Sequence, residues 1–215
     1  MRYDTVIFDL DGTLLNTLED LTDSVNMVLK NEGYAPRTKE DVREFIGNGV
    51  KMLMERSLPP GTTEEEVLRC LSLFRPVYLK NMQNKTKPYD GIPAVLEKLK
   101  EMGVKVGVVS NKPHEATQEI CRQYFHGNID AAIGDNADRR NKPDPDNVYE
   151  ALKQLGAEKD RTLYAGDSDI DMYTAQNAGL DSVGVTWGYR SLETLAEAGA
   201  DYIIDEPERL IDLIK

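Results

Sequence analysis

Two kinds of apolar pattern alternate through most of this chain. Short continuous runs, Val6-Ile7-Phe8, residues 104–109, Ala131-Ala132-Ile133, Leu163-Tyr164-Ala165, residues 182–186 and Tyr202-Ile203-Ile204, read as strands. Between them, apolar residues recur at helical spacing: Ile92, Val95, Leu96, Leu99 and Met102 mark a helix that Gly103 ends. A second helix opens near Pro113, where proline suits the first turn. Further helices are expected over 148–155, Asp169–Ala178, 192–198 and 210–214. Strand and helix in strict alternation imply a parallel sheet with helices on both faces, a doubly wound, Rossmann-like α/β fold. Ligands of such folds bind beyond the carboxyl ends of the strands.

Between the first strand and about Lys87 the rhythm breaks. Leu18, Leu21, Val25 and Val28 share one helical face, and strand-like runs are absent. Thr63 followed by Glu66 has the form of a capping box that opens a long helix toward Tyr78. The expected organisation is therefore a core domain of residues 1–15 and 88–215, with residues 16–87 inserted as an all-helical domain. The crossings near Asn16 and over residues 87–91 would be the hinges.

Composition narrows the partners. The 215 residues carry 26 Lys and Arg against 38 Asp and Glu, a net charge of −12, which argues against nucleic acid and anionic membranes. Any anionic substrate must therefore meet positive charge locally. Cys70 and Cys121 are too far apart for a zinc or redox motif and read as free buried thiols. The first residues enter a strand at once without a signal peptide, and no apolar run reaches membrane-spanning length, so a cytoplasmic protein is expected. A monomer or small homo-oligomer fits this picture.

The chemistry lies at the strand ends. The first strand runs into Asp9-Leu10-Asp11-Gly12-Thr13. Side chains alternate along a strand, so Asp9 and Asp11 can point the same way. Two like charges on one side need a cation, a shared proton or a catalytic role; an Asx-type turn is the plainer alternative. The strand of residues 104–109 ends in Ser110-Asn111-Lys112, and the Leu163 strand in Gly166-Asp167-Ser168-Asp169-Ile170-Asp171. Between them lies Asn141-Lys142-Pro143-Asp144-Pro145-Asp146.

These four clusters, in this order, resemble the motifs of the haloacid dehalogenase superfamily of phosphohydrolases: DxDGT, a Ser/Thr motif, a Lys motif and GDxxxD. The run Phe45-Ile46-Gly47-Asn48-Gly49, with Leu53-Met54-Glu55-Arg56 and Val185-Thr186-Trp187-Gly188-Tyr189, further resembles the phosphoglycolate phosphatase branch. The resemblance implies that the helical insertion is a cap and that Asp9 is a nucleophile forming an aspartyl-phosphate. Asp11 would be the general acid and then the base. Ser110 and the Asn111 amide would bind phosphoryl oxygens, and Lys142 would supply compensating positive charge. The implied cofactor is Mg²⁺, held by Asp9, Asp167 and the Asp11 carbonyl, with Asp171 as a metal-site partner that stands behind these ligands or acts through a bridging water. Thr13 would support the Asp9 loop, and Asp169 would cap a helix or face solvent.

The expected reaction is hydrolysis of a small phosphate ester, 2-phosphoglycolate first. In the cap, Asn48, Lys51 and Arg56 are candidates for a substrate carboxylate, although Gly47-Asn48-Gly49 also reads as a turn and both cations as exposed helix charges. A sugar-phosphate mutase and a nucleotide or pyrophosphate phosphatase share these motifs. A phospho-accepting signalling domain is shorter and lacks both the insertion and the acid two residues after the acceptor. His114 and His126 fall outside every motif and read as structural or surface residues.

Overall fold

The computed structural model describes residues 1–215. In chain order the elements are β1 (Thr5–Phe8), β2 (Leu15–Asn16), α1 (Leu18–Asn31), α2 (Lys39–Phe45), α3 (Gly49–Ser57), α4 (Glu64–Asn81) and β3 (Lys87–Pro88). There follow α5 (Ile92–Glu101), β4 (Lys105–Pro113), α6 (His114–Phe125), β5 (Ala131–Asp135), α7 (Asp146–Leu155) and β6 (Thr162–Gly166). The chain ends with α8 (Asp169–Ala178), β7 (Asp181–Val185), α9 (Leu192–Glu197), β8 (Tyr202–Ile204) and α10 (Arg209–Ile214). It divides into two compact units, one of Met1–Leu15 with Pro88–Lys215 and the other Asn16–Lys87.

The first unit is a six-stranded sheet in the order β5-β4-β1-β6-β7-β8, with every neighbouring pair parallel. A central parallel strand is covered on both faces and needs an unbroken apolar run. Val6, Ile7 and Phe8 supply it, none more than 2% exposed. Ile7 joins Val109, Ile133, Val148, Leu152 and Tyr164 in one buried cluster. From β1 the chain moves outward through β4 to β5, then crosses back to β6 and continues outward through β7 to β8. Successive connections therefore diverge at β1 and β6, the switch point at which doubly wound folds leave a crevice.

One expectation shifts in detail. The strand expected to end at Val109 runs to Pro113, because the exit segment keeps an irregular pairing with β5 in which Pro113 stands opposite Asp135. The polar residues Ser110, Asn111 and Lys112 thus stay inside the sheet layer and are buried.

In the second unit α1 buries Leu21, Val25, Val28 and Leu29, and α4 buries Val67, Leu71, Phe74 and Tyr78. Phe74 and Tyr78 stack with ring centres 5.4 Å apart. Thr63 opens α4 by accepting from the Glu66 amide, but Glu66 does not return the bond. Its carboxylate is taken by Arg69 and Tyr34, so only half of the expected capping box forms. The complete box is at Thr38 and Asp41, ahead of α2. The buried Asp20 carboxylate accepts the Lys85 and Thr86 amides at 2.9–3.0 Å, which holds the end of this unit next to its return crossing.

Candidate active site

The register of the three central strands aligns the motifs. Phe8 stands level with Val108 on β4 and Ala165 on β6. Asp9, Ser110 and Asp167 therefore lie within a residue or two of one level. The Asp9 amide still donates to the Ala165 carbonyl at 2.8 Å, so the first carboxylate is anchored by the sheet itself.

Around the switch point the ionisable groups are buried. Lys142 Nζ donates to Asp9 Oδ1 and to Asp171 Oδ1, both at 2.7 Å. Tyr164 OH also donates to Asp171 Oδ1 at 3.4 Å, and the other Asp171 oxygen accepts from the Ser168 amide and hydroxyl. Ser168 and Asp171 thereby form the capping box of α8, so the capping reading of this acidic run and its site reading coexist. Asp167 accepts the Thr13 hydroxyl at 3.0 Å and the Tyr189 amide at 2.7 Å. Thr13 thus braces Asp167, where support of the Asp9 loop was expected; its hydroxyl reaches across to the next strand end. The Trp187 indole donates to the Thr13 carbonyl at 2.9 Å and steadies that loop from outside.

Glycine is required twice here. Gly12 has φ +99°, and a Cβ on it would lie against the Asp167 carboxylate. A Cβ on Gly188 would overlap the Asp167 side chain and the Gly12 carbonyl.

Charge is out of balance in this pocket. Asp9, Asp167 and Asp171 can each present an oxygen within 4.8 Å of the others, and Lys142 is the cation that contacts two of them. Burial pushes the Asp9 carboxyl well up, the Lys142 charge opposes the shift, and Asp171 and Asp167 add to it. Asp167 is pushed up to about 7 by burial and then by the Asp171 charge. Burial works against the Lys142 ammonium, but Asp171 and Asp9 outweigh it and raise the group. A buried excess of carboxylate is costly unless a further cation completes it. The donors are all oxygen, the preference of a hard divalent ion such as Mg²⁺, and the residues fit one.

A second ion pair adjoins the first. Lys112 Nζ meets Asp11 Oδ1 at 2.9 Å and Oδ2 at 3.3 Å. Lys112 is only 4% exposed, and buried lysine is rare without such a partner. Sequence reasoning gave Lys112 no role. The signal was present: Ser110 and Lys112 are two apart on a strand and share a side. Ser110 is also buried, and its hydroxyl accepts the Lys112 amide at 3.2 Å. Asn111 exchanges two bonds with the Lys142 backbone, its Oδ1 accepting the amide at 2.9 Å and its Nδ2 donating to the carbonyl at 3.2 Å. Its side chain therefore holds the loop that carries Lys142.

The model for haloacid dehalogenase-like hydrolases matches residues 6–185 of the chain. The chain belongs to this family. Relatives of this hydrolase include a phosphoglycolate phosphatase of Aquifex aeolicus, 34% identical over 97% of this chain and 95% of that protein. The N-acetylmuramic acid 6-phosphate phosphatase of Pseudomonas aeruginosa is 31% identical over 100% of this chain and 96% of its own. Among solved structures, a provisionally named phosphoglycolate phosphatase from Lactobacillus delbrueckii subsp. bulgaricus superposes with a TM-score of 0.94 at 37% identity, covering 100% of this chain and 99% of that one.

The remaining candidates lie in the second unit. Asn48 is the residue before α3, Lys51 pairs with Glu64 at 2.8 Å on the surface, and Arg56 donates to the Phe45 carbonyl at 3.1 Å. Asp169 is 3.8 Å from Arg190. His114 accepts the Gly134 amide at 3.1 Å, a structural contact. Both cysteines are free and buried, and burial pushes the Cys121 thiol up to about 12, which leaves it unfit as a nucleophile. No helix is long and apolar enough to cross a membrane.

Proposed function

We propose that this family member is a Mg²⁺-dependent phosphatase acting on a small phosphate monoester in the cytoplasm, 2-phosphoglycolate first, through an aspartyl-phosphate on Asp9. The observation that carries the reading is the buried carboxylate excess of Asp9, Asp167 and Asp171 around Lys142 at the sheet's switch point, with Asp11 beside it. The full-length similarity to the Aquifex aeolicus phosphatase supports the substrate.

Asp9, Asp167 and the Asp11 carbonyl would hold the ion. Asp171, whose two oxygens already accept from Lys142, Tyr164 and Ser168, would act through them or through water. Bound there, Mg²⁺ would offset the repulsion between an attacking carboxylate and a phosphoryl oxygen, about 4 kcal/mol per charge pair at 4 Å and an effective dielectric near 20. In the first step an Asp9 oxygen attacks phosphorus, the bond from phosphorus to the alcohol oxygen breaks, and Asp11 gives that oxygen a proton. In the second, Asp11 takes a proton from water as the water attacks the phosphorus; the Asp9–phosphate bond breaks and phosphate leaves. Ser110 and the Asn111 amide would donate to phosphoryl oxygens. Lys142 keeps Asp9 directed, and Asn111 keeps Lys142 in place.

The unit Asn16–Lys87 is read as the cap that selects substrate and excludes water, with Asn48, Lys51 and Arg56 as candidates for the substrate carboxylate. Lys51 and Arg56 would have to leave Glu64 and the Phe45 carbonyl to serve. A second reading, a phosphatase of sugar phosphates, is favoured by the similarity to the N-acetylmuramic acid 6-phosphate enzyme.

A panel assay with Mg²⁺ tests the proposal. The kcat/KM for 2-phosphoglycolate should exceed that for glucose 1-phosphate, AMP, pyrophosphate and N-acetylmuramic acid 6-phosphate by at least about tenfold, roughly 1.4 kcal/mol of transition-state discrimination. A maximum on the amino-sugar phosphate would establish the second reading. Interconversion of sugar phosphates without phosphate release would make the protein a mutase, and a maximum on AMP or pyrophosphate would make it a nucleotide or pyrophosphate phosphatase.

A further inference from the structure

We propose that Lys112 is a positioning residue for Asp11: its ammonium contacts both carboxyl oxygens and holds the group in one orientation for proton transfer. The inference rests on the phosphatase reading above and adds to it a residue that none of the four motifs requires.

Three observations converge. Lys112 Nζ is 2.9 Å from Asp11 Oδ1 and 3.3 Å from Oδ2, within hydrogen-bond reach of both oxygens. The lysine side chain is 2% exposed whereas that of Asp11 is 16% exposed, so the acid is the member of the pair that a substrate or water can reach. The lysine is itself fixed, since its amide donates to Ser110 Oγ at 3.2 Å within β4. An ammonium has only donors and cannot accept a proton from a carboxylic acid through a hydrogen bond. Lys112 is therefore not the proton acceptor, and its part is to fix where the Asp11 carboxyl points. Donation breaks an O–H bond of Asp11 and leaves a carboxylate; abstraction from water reforms one. Lys112 changes neither its own bonds nor its charge in either step. Without it, Asp11 could rotate, which lowers the fraction of productive geometries.

The test exploits leaving groups. An alkoxide must be protonated as it leaves, whereas p-nitrophenolate departs readily without a proton. Lys112→Met keeps the length of the side chain and removes the ammonium. With Mg²⁺-loaded enzyme, single-turnover rates should fall for both esters but fall further for phosphoglycolate. The rate ratio of p-nitrophenyl phosphate to phosphoglycolate should rise at least about tenfold, with KM for either ester changed less than about threefold. In the Asp11→Asn background, Lys112→Met should leave that ratio within about twofold, because the two residues act as a unit. Should Lys112→Met not fold, Lys112→Gln, which offers a neutral donor, carries the same comparison. Equal losses on both esters, or an undiminished effect in the Asp11→Asn background, would overturn the role of Lys112 while leaving the phosphatase reading intact. A wild-type protein inactive on both esters would overturn the two together.

Discussion

Replacing Asp167 with asparagine should make the metal-free protein more stable, although the residue is buried and accepts hydrogen bonds from Thr13 and Tyr189. Burial and the nearby Asp171 charge raise the Asp167 carboxyl from 3.8 to about 7. A folded-state pKa above the unfolded one means that the folded protein binds the proton more tightly. Stability is then greatest below about pH 4 and is lost as pH rises toward 7, beyond which the cost is constant. At about 1.4 kcal/mol per unit the shift sets a ceiling of roughly 4 kcal/mol. Asparagine is the neutral isostere. Its oxygen can accept the Tyr189 amide, and its amide can donate to the Thr13 hydroxyl, which rotates from donor to acceptor. Water entering a metal-free site screens part of the charge, so we expect about half the ceiling, about 2 kcal/mol at pH 8. For a chain of this size that corresponds to a rise in Tm of roughly 4–8 °C.

Scanning calorimetry in EDTA at pH 8 and pH 4 reads this directly, with the gap expected to close at the lower pH. Saturating Mg²⁺ should invert the order, because an ion at a hundred times its Kd stabilises the wild type by about 2.7 kcal/mol and the variant less. A metal-free Asp167→Asn protein less stable than wild type at pH 8, or a gap independent of pH, would refute the charge argument.

Other perturbations separate the remaining roles. Asp9→Asn should abolish turnover while the protein stays folded; sustained phosphate release with deamidation excluded would remove Asp9 as nucleophile. Exhaustive chelation should abolish activity, Mg²⁺ restore it, and Ca²⁺ inhibit by imposing looser and higher coordination; full activity after chelation contradicts the metal assignment. Gly188→Ala should cost about 1–3 kcal/mol by overpacking against Asp167 and Gly12 and lower kcat/KM at least about tenfold; wild-type kinetics would show that the cradle yields freely.

The parts legible in the sequence are those in which one residue type admits few explanations. A continuous apolar run ending in Asp-Leu-Asp can scarcely be anything but a buried strand delivering charge to its carboxyl end, and β1 is that strand. The alternation of short runs and helical spacings gives the parallel sheet in the same way. What could not be read depends on residues distant in sequence. Asp11 and Lys112 are 101 positions apart, and the rotation that unites them is set by the pairing of β1 with β4. Thr13 and Asp167, 154 apart, meet because β6 lies on the other side of β1. At Glu66 local spacing pointed to a capping box, but Arg69 and Tyr34 compete for the same carboxylate and win it. A Ser/Thr-x-x-acid spacing therefore shows that a cap can form, while the surrounding charges decide whether it does.

These long-range pairs divide the buried charge into two groups. Asp11 with Lys112 is balanced, one carboxylate against one ammonium. Asp9, Asp167 and Asp171 with Lys142 are not. A balanced pair has no electrostatic need of a ligand and can hold its geometry through a catalytic cycle, as an acid that must serve twice requires. An unbalanced cluster is a standing cost in the empty protein and becomes favourable only when positive charge arrives. The same cost is what draws a divalent ion in, so stability of the metal-free chain and affinity for the metal should trade against each other. Substitutions that relieve one should weaken the other, and a variant that gained both would show that the carboxylate excess is not what binds the ion.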